Sequence, residues 1–173
     1  MEDSMNIRDF LDLRQLQEMQ DKFSDATGLA AIIVDAKGEN VTKGSNFTDF
    51  CMKYTRGSEE GNRRCNKCSS ENSGVYYCHA GLMEFCIDIM LGNEKVGEVI
   101  GGQVLSRKPD EDAFRKTATD LDIDSDAYIN ALKKVPVSNE KSIKAAAELF
   151  GKMVNMFVNI EYSHNNNGGK LGQ

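Results

Sequence analysis

The sequence predicts an α+β domain: an antiparallel sheet flanked by helices, with long helices at both ends. Three observations carry this. The chain begins and ends in amphipathic patterns of helical period. Two turn signals, each between apolar runs, mark hairpins. Helical patterns separate the two hairpins, an order that suits an antiparallel sheet with segregated helices. The length of 173 residues allows one domain with a real core.

Taken in order, residues 7–26 place Ile7, Phe10/Leu11, Leu16, Met19 and Phe23 on one helical face. Thr27-Gly28 ends that helix, because glycine takes the left-handed cap conformation readily. Residues 29–34 read as a buried strand, 35–40 as its turn, and 41–43 as the returning partner. Residues 47–54 read as a short helix carrying Cys51, and Ser58 caps a second one carrying Cys65 and Cys68. Residues 74–91 are one long strand or two broken near Gly81, and Gly92-Asn93-Glu94-Lys95 turns into a strand over 96–105. In that strand Gly97, Gly101 and Gly102 leave room for something to approach the backbone. Helices are expected over 110–121, 125–134 and 138–162, with Pro136 breaking the chain between the last two. A single domain over 7–162 is therefore expected, with a polar, disordered tail over 163–173.

Composition narrows the function. A net charge of −6 argues against nucleic acid as the direct partner, despite the local pair Arg63-Arg64. There is no apolar run of membrane-spanning length. The acidic opening Met1-Glu2-Asp3-Ser4-Met5 is unlike a secretory signal, so a cytoplasmic location is expected. All 5 cysteines (Cys51, Cys65, Cys68, Cys78 and Cys86) fall in one central stretch, joined by His79. In a reducing compartment such thiols are metal ligands, redox groups or buried small residues more often than disulfides.

Cys65-Asn66-Lys67-Cys68 puts two thiols on one helix face, and Cys51 and Cys78 are candidates to complete a four-thiolate shell for zinc or an iron–sulfur cluster. The plain alternative is a set of free buried thiols. Cys78 and His79 are neighbours on a strand pattern and would point to opposite faces, so a catalytic thiol–imidazole pair between them is not expected. His79 is read as facing a ligand. Along residues 82–91, Met83, Phe85, Ile87, Ile89 and Leu91 form a core face, whereas Leu82, Glu84, Cys86, Asp88 and Met90 form a mixed face that borders a pocket or solvent. Gln103 would lie beside it and offers a donor and an acceptor to a polar ligand.

The string Cys78-His79-Ala80-Gly81-Leu82, followed by an apolar strand and Gly101-Gly102-Gln103-Val104-Leu105, resembles the PocR sensory-domain family. Thr27-Gly28-Leu29, Asp35-Ala36-Lys37-Gly38, Phe47-Thr48-Asp49-Phe50-Cys51, Arg64-Cys65 and Val135-Pro136-Val137 add to the resemblance, which covers roughly residues 10–160. It implies a PAS-like sensor that is not an enzyme and that detects a small hydrocarbon-derived metabolite for a prokaryotic signal-transduction or transcription regulator. Cys51, Cys65, Cys78 and His79 fall on the family's motif positions, where they would line the ligand pocket or hold a bound ion, and Gly81, Glu84 and Gln103 are expected to join them in lining the pocket. Two departures stand out: the stretch between Cys68 and Tyr76 is short, and Cys68 is an additional thiol. The expected partners are the ligand, an output module (kinase or DNA-binding) in cis or in trans, and a second copy through the terminal helices.

Overall fold

The computed structural model describes residues 5–168. Its elements run α1 (Leu13–Thr27), β1 (Ala30–Asp35), a π-helical turn (Phe50–Thr55), α2 (Glu59–Glu71), β2 (Gly74–Tyr77), β3 (Met83–Leu91), β4 (Glu94–Val104), α3 (Glu111–Asp120), α4 (Ser125–Leu132) and α5 (Glu140–Gly168). The four strands form one antiparallel sheet in the order β1-β4-β3-β2. This is the expected α+β arrangement, with the long helix at the C-terminal end.

Local chemistry sets the ends of the elements. Helix α1 starts later than the apolar pattern suggests, because Asp12 caps it, its Oδ1 accepting from the N–H groups of Arg14 (3.1 Å) and Gln15 (3.0 Å). Ile7–Asp9 form only a 3-10 turn ahead of it. Gly28 closes α1 at φ +75°, as the sequence predicts. Helix α5 passes the expected end at Tyr162 and continues to Gly168, so residues 163–168 are helical; the rest of the expected tail lies outside the described residues.

The partner strand expected over 41–43 is not a regular strand. Isolated bridges pair Ala31 with Ser45 and Val34 with Asn40, and between them the N–H groups of Val41 (2.8 Å) and Thr42 (3.2 Å) both donate to the Ile33 carbonyl, which is no regular ladder. Side chains take over the ladder: the Ile33 N–H donates to Thr42 Oγ1 at 2.9 Å. The fully buried Gln20 of α1 donates to the carbonyls of Ala31 and Lys43. The edge of β1 is thus satisfied without a fifth regular strand.

The sheet separates two apolar cores. On one face Met83, Phe85 and Ile89 of β3 pack with α1 and α5, where the rings of Phe23 and Phe150 stack 4.1 Å apart. On the other, Leu82 joins Phe50, Phe114 and Tyr128, and Phe50 stacks on Tyr128 at 4.3 Å. The alternation along β3 therefore reads as the sequence predicts, and the second face leads to the cysteine-bearing elements. Gly61 of α2 allows that helix to sit on the π turn, since a Cβ there would lie 2.0 Å from the Thr55 carbonyl oxygen.

Candidate functional site

Three backbone features bring the central residues together. The first is the π turn. Thr55 Oγ1 donates to the Phe50 carbonyl at 2.8 Å and meets Tyr128 Oη at 3.0 Å, while the Arg56 N–H donates to the Cys51 carbonyl at 2.9 Å. This wide turn holds Cys51 in the second core and sets Arg56 at its end. The second is helix α2, capped by Ser58, which carries Cys65. The third is the turn between β2 and β3, closed by Cys78 N–H to the Leu82 carbonyl (2.8 Å) and Gly81 N–H to the Cys78 carbonyl (3.0 Å). Gly81 has φ +83°, a conformation that favours glycine, so its role is to shape this turn.

His79 sits in that turn and not in a strand, so strand alternation does not apply to it. It reaches across to α2, where its Nε2 lies 3.2 Å from Cys65 Sγ. The partner of the imidazole is therefore Cys65 and not the adjacent Cys78. Burial first, and then the Arg64 and Arg56 guanidinium groups, lower the imidazole's proton affinity. Burial pushes the Cys65 thiol up to about 11 and the Cys51 thiol up to about 12, and raises Cys78 as well. A protonated thiol beside a neutral imidazole is a hydrogen-bonded pair, not the thiolate–imidazolium pair of a nucleophile.

Glu84 is the other member of the cluster. The register places it opposite Tyr76, whose hydroxyl donates to Glu84 Oε2 at 3.4 Å. Burial raises the Glu84 carboxyl above its ordinary range, against the pull of Arg56. A negative charge on Glu84 would raise Cys51, Cys65 and Cys78 together, so all three thiols lie within its electrostatic reach. Of the residues singled out in the sequence, Cys51, Cys65, Cys78, His79 and Glu84 thus gather in one place. Arg56 and Tyr76 were missed: Arg56 belongs to no sequence pattern, whereas Tyr76 follows once the β2–β3 register is known.

Other expected members stand elsewhere. Gln103 is turned to the π turn, where its Oε1 accepts from Thr48 N–H (2.7 Å) and Thr48 Oγ1 (3.0 Å). Its Nε2 faces Met52 Sδ at 3.6 Å, so both ends of the amide are engaged within the chain. Cys68 lies half-buried near the end of α2. The four-thiolate shell of Cys51, Cys65, Cys68 and Cys78 finds no support in this geometry: among the described residues no group of three or more His, Cys, Asp or Glu is arranged to hold a metal ion. Cys65 is turned to His79, and burial raises its thiol and those of Cys51 and Cys78. A cleft of about 530 Å³ opens further along the same sheet face, lined by Ser69, Asn72, Cys86, Asp88, Lys95 and Glu98 among others. Among the described residues, no helix is long and apolar enough to cross a membrane.

The family model described as the sensory domain found in PocR matches residues 9–162. The regulatory protein PocR of Salmonella typhimurium is 27% identical over 147 residues, which are 80% of this chain and 48% of that protein. The chain therefore spans about half the length of that curated relative. No solved structure matches it. With the family model matching nearly the whole of the described chain, the Cys-His-Ala-Gly-Leu turn has its context: the chain belongs to the family of the sensory domain found in PocR.

Proposed function

We propose that this sensory domain binds a small hydrocarbon-derived metabolite beside the cluster of Cys51, Cys65, Cys78, His79 and Glu84, and reports it to a prokaryotic signal-transduction or transcription regulator. One observation carries the reading. Groups from three separate elements, the π turn, α2 and the β2–β3 turn, converge on Glu84 in forms that are uncharged and therefore suited to a weakly polar guest. A guest inserted there would alter how α2 and the π turn sit on the sheet.

The domain is proposed to act by binding and not by catalysis, since its half-exposed thiol is held protonated. The change would pass through β3 to α5, whose Asn155 and Asn159 bond the β3 backbone. Helix α5 would then pass it to an output module in cis or in trans. A homodimer through the terminal helices is part of this proposal, supported by the exposed Leu149, Met156 and Ile160 on α5.

The test is an NMR titration of the chain with short alcohols and diols. Shifts centred on Cys65, His79 and Glu84 are expected. Shifts centred on the Cys86–Glu98 cleft would move the site, and the absence of any shift would sink the reading. Elemental analysis of anaerobically purified protein guards the alternative of a metal- or cluster-based redox sensor. A stoichiometric ion lost in Cys65→Ser would replace the present proposal with that one.

A further inference from the structure

The chain as a whole is acidic, yet the approach to the cluster is basic. Arg56, Arg63 and Arg64 lie within nine positions of one another, and Arg56 and Arg64 both bear on His79. Glu60 takes up Arg63, at 2.7 Å from Nη2, and Arg64, at 2.7 Å from Nε. Arg56 has no such partner: among the described residues no carboxylate pairs with it, and its guanidinium makes one long hydrogen bond, to Asn66 Oδ1 at 3.3 Å. Asn66 is the neighbour of Cys65, and Arg56 is half-buried. A half-buried guanidinium is thus held at the rim of the cluster with most of its donors unspent.

The imidazole adds a second unspent group. Its Nε2 faces the Cys65 thiol, and its Nδ1 is buried with no hydrogen-bond partner among the described residues. The thiol is the better donor of that pair and the ring nitrogen the better acceptor, which assigns the ring proton to Nδ1. A buried N–H without an acceptor is costly, and a ligand oxygen would relieve it.

We infer that the site recognises an anionic group, of the carboxylate or phosphate type, held by the guanidinium of Arg56 with the Nδ1–H of His79 as a second donor, while the thiols of Cys51, Cys65 and Cys78 receive the uncharged part of the molecule. This rests on the cluster being the ligand site, and it sharpens that reading by adding charge to the guest. An oxyanion suits the chemistry of both donors: a planar guanidinium presents paired N–H groups to two oxygens, and a buried imidazole N–H seeks an acceptor. Burial raises the Glu84 carboxyl against the pull of Arg56, which weakens its competition for that guanidinium. The described hydrogen bond of Glu84 is with Tyr76.

Calorimetric titration with propanoate, propan-1-ol and inorganic phosphate tests this, with the His79 ring signals followed by NMR. Propanoate is expected to bind more tightly than propan-1-ol and to weaken as salt rises. Arg56→Gln should weaken propanoate about tenfold or more, the scale of a lost charge-assisted bond, and Arg56→Lys should restore part of it. Phosphate binding with the same Arg56 dependence would support the inference and place recognition in the anion itself. Propan-1-ol binding as tightly as propanoate, or propanoate binding indifferent to Arg56→Gln, would overturn the inference and leave the cluster as a site for neutral guests. Failure of propanoate and phosphate to bind would overturn the inference, and failure of propan-1-ol and the short diols as well would overturn the reading beneath it. A melting curve of each variant confirms folding, which a side chain with a single long hydrogen bond should not control.

Discussion

Asn155 of α5 accepts a hydrogen bond from the Met90 N–H at 2.8 Å and donates to the Asp88 carbonyl at 3.0 Å. The reason lies in strand length. Strand β2 pairs with β3 only as far as Gly74 opposite Cys86, which leaves the outer edge of β3 uncovered beyond that point. Asn155, and then Asn159 donating to the Met90 carbonyl at 3.0 Å, close that edge with side chains. Asn155→Leu keeps the branched heavy-atom skeleton and removes the bonds. It is expected to lower stability by about 1–3 kcal/mol, read as a lower urea midpoint at an unchanged slope. It should also loosen α5 from the strand that carries Glu84, seen as faster amide exchange at Met90.

Gln20 is the corresponding device at the other edge. Its Nε2 donates to the carbonyls of Ala31 (3.0 Å) and Lys43 (2.7 Å), and Thr42 Oγ1 donates to its Oε1. Gln20→Leu leaves several buried groups unpaired at once, so a loss of about 2–4 kcal/mol is expected. Thr42→Val removes one member and should cost less. Equal losses from the two would show that the Thr42 bond to the Ile33 N–H, and not the Gln20 network, holds the segment.

These two edges show what the sequence reveals and what it hides. The helical and strand periods, the Gly28 cap and the Gly92 turn follow from local rules, and so does the split of β3 into two faces. The Gln20 and Asn155 contacts do not, because polar residues in helical patterns look like solvent-facing positions until the edges they meet are known. The same holds at the site. The Cys-His string marks it, but the Cys65–His79 contact depends on how α2 lies over the β2–β3 turn. Gly101-Gly102-Gln103 suggests space for a ligand, whereas in the fold it admits neighbouring strands and fixes the π turn.

Asp35 predicts a pH dependence of stability. Burial works against its charge, but the Glu39 N–H, the Arg8 guanidinium and the Lys37 N–H together outweigh that and hold its carboxyl below the usual range. The unfolded chain binds this proton at a higher pH than the native chain does. Its contribution is therefore complete above the ordinary carboxylate pKa of about 4 and is lost as pH falls through the lowered native value. Asp35→Asn is expected to cost about 1–2 kcal/mol at pH 7 and to reduce the loss of stability on acidification. Urea melts at neutral and acidic pH check this. An acid limb as steep in the variant as in the natural sequence would assign it to other carboxylates.

The thiols make a separate prediction. With Cys65 at about 11 and Cys51 at about 12, few thiolates exist near neutrality. Alkylation of Cys65 by iodoacetamide at pH 7.5 should run at least about tenfold slower than that of a free cysteine, whose pKa is about 8.5. His79→Ala should not slow it further, because the imidazole is not acting as a base. Rapid labelling of Cys65 that His79→Ala abolishes would instead establish a thiol–imidazole nucleophile and reopen catalysis.

The last prediction concerns the bulge that positions Glu84. Met83 pairs with Val104 and Phe85 with Gly101, so Glu84 alone stands opposite Gly102 and Gln103. Both carry positive φ, +114° and +50°. A Cβ at Gly102 would lie 2.4 Å from the Met83 carbonyl oxygen and 2.5 Å from Glu84 Cα, contacts with backbone that cannot move aside. Gly38 also has positive φ, +80°, but no atom stands within 4 Å of its Cβ position. Gly38→Ala therefore isolates the conformational cost, about 1–2 kcal/mol. Gly102→Ala adds the clash, and an additional loss of about 1–3 kcal/mol is expected. It should also shift the Glu84 and Cys65 signals, because the strand carrying Glu84 has to move away from β4. If the two variants lose the same stability and the Glu84 signals stay in place, the close approach of β4 is not what sets the carboxyl among the thiols.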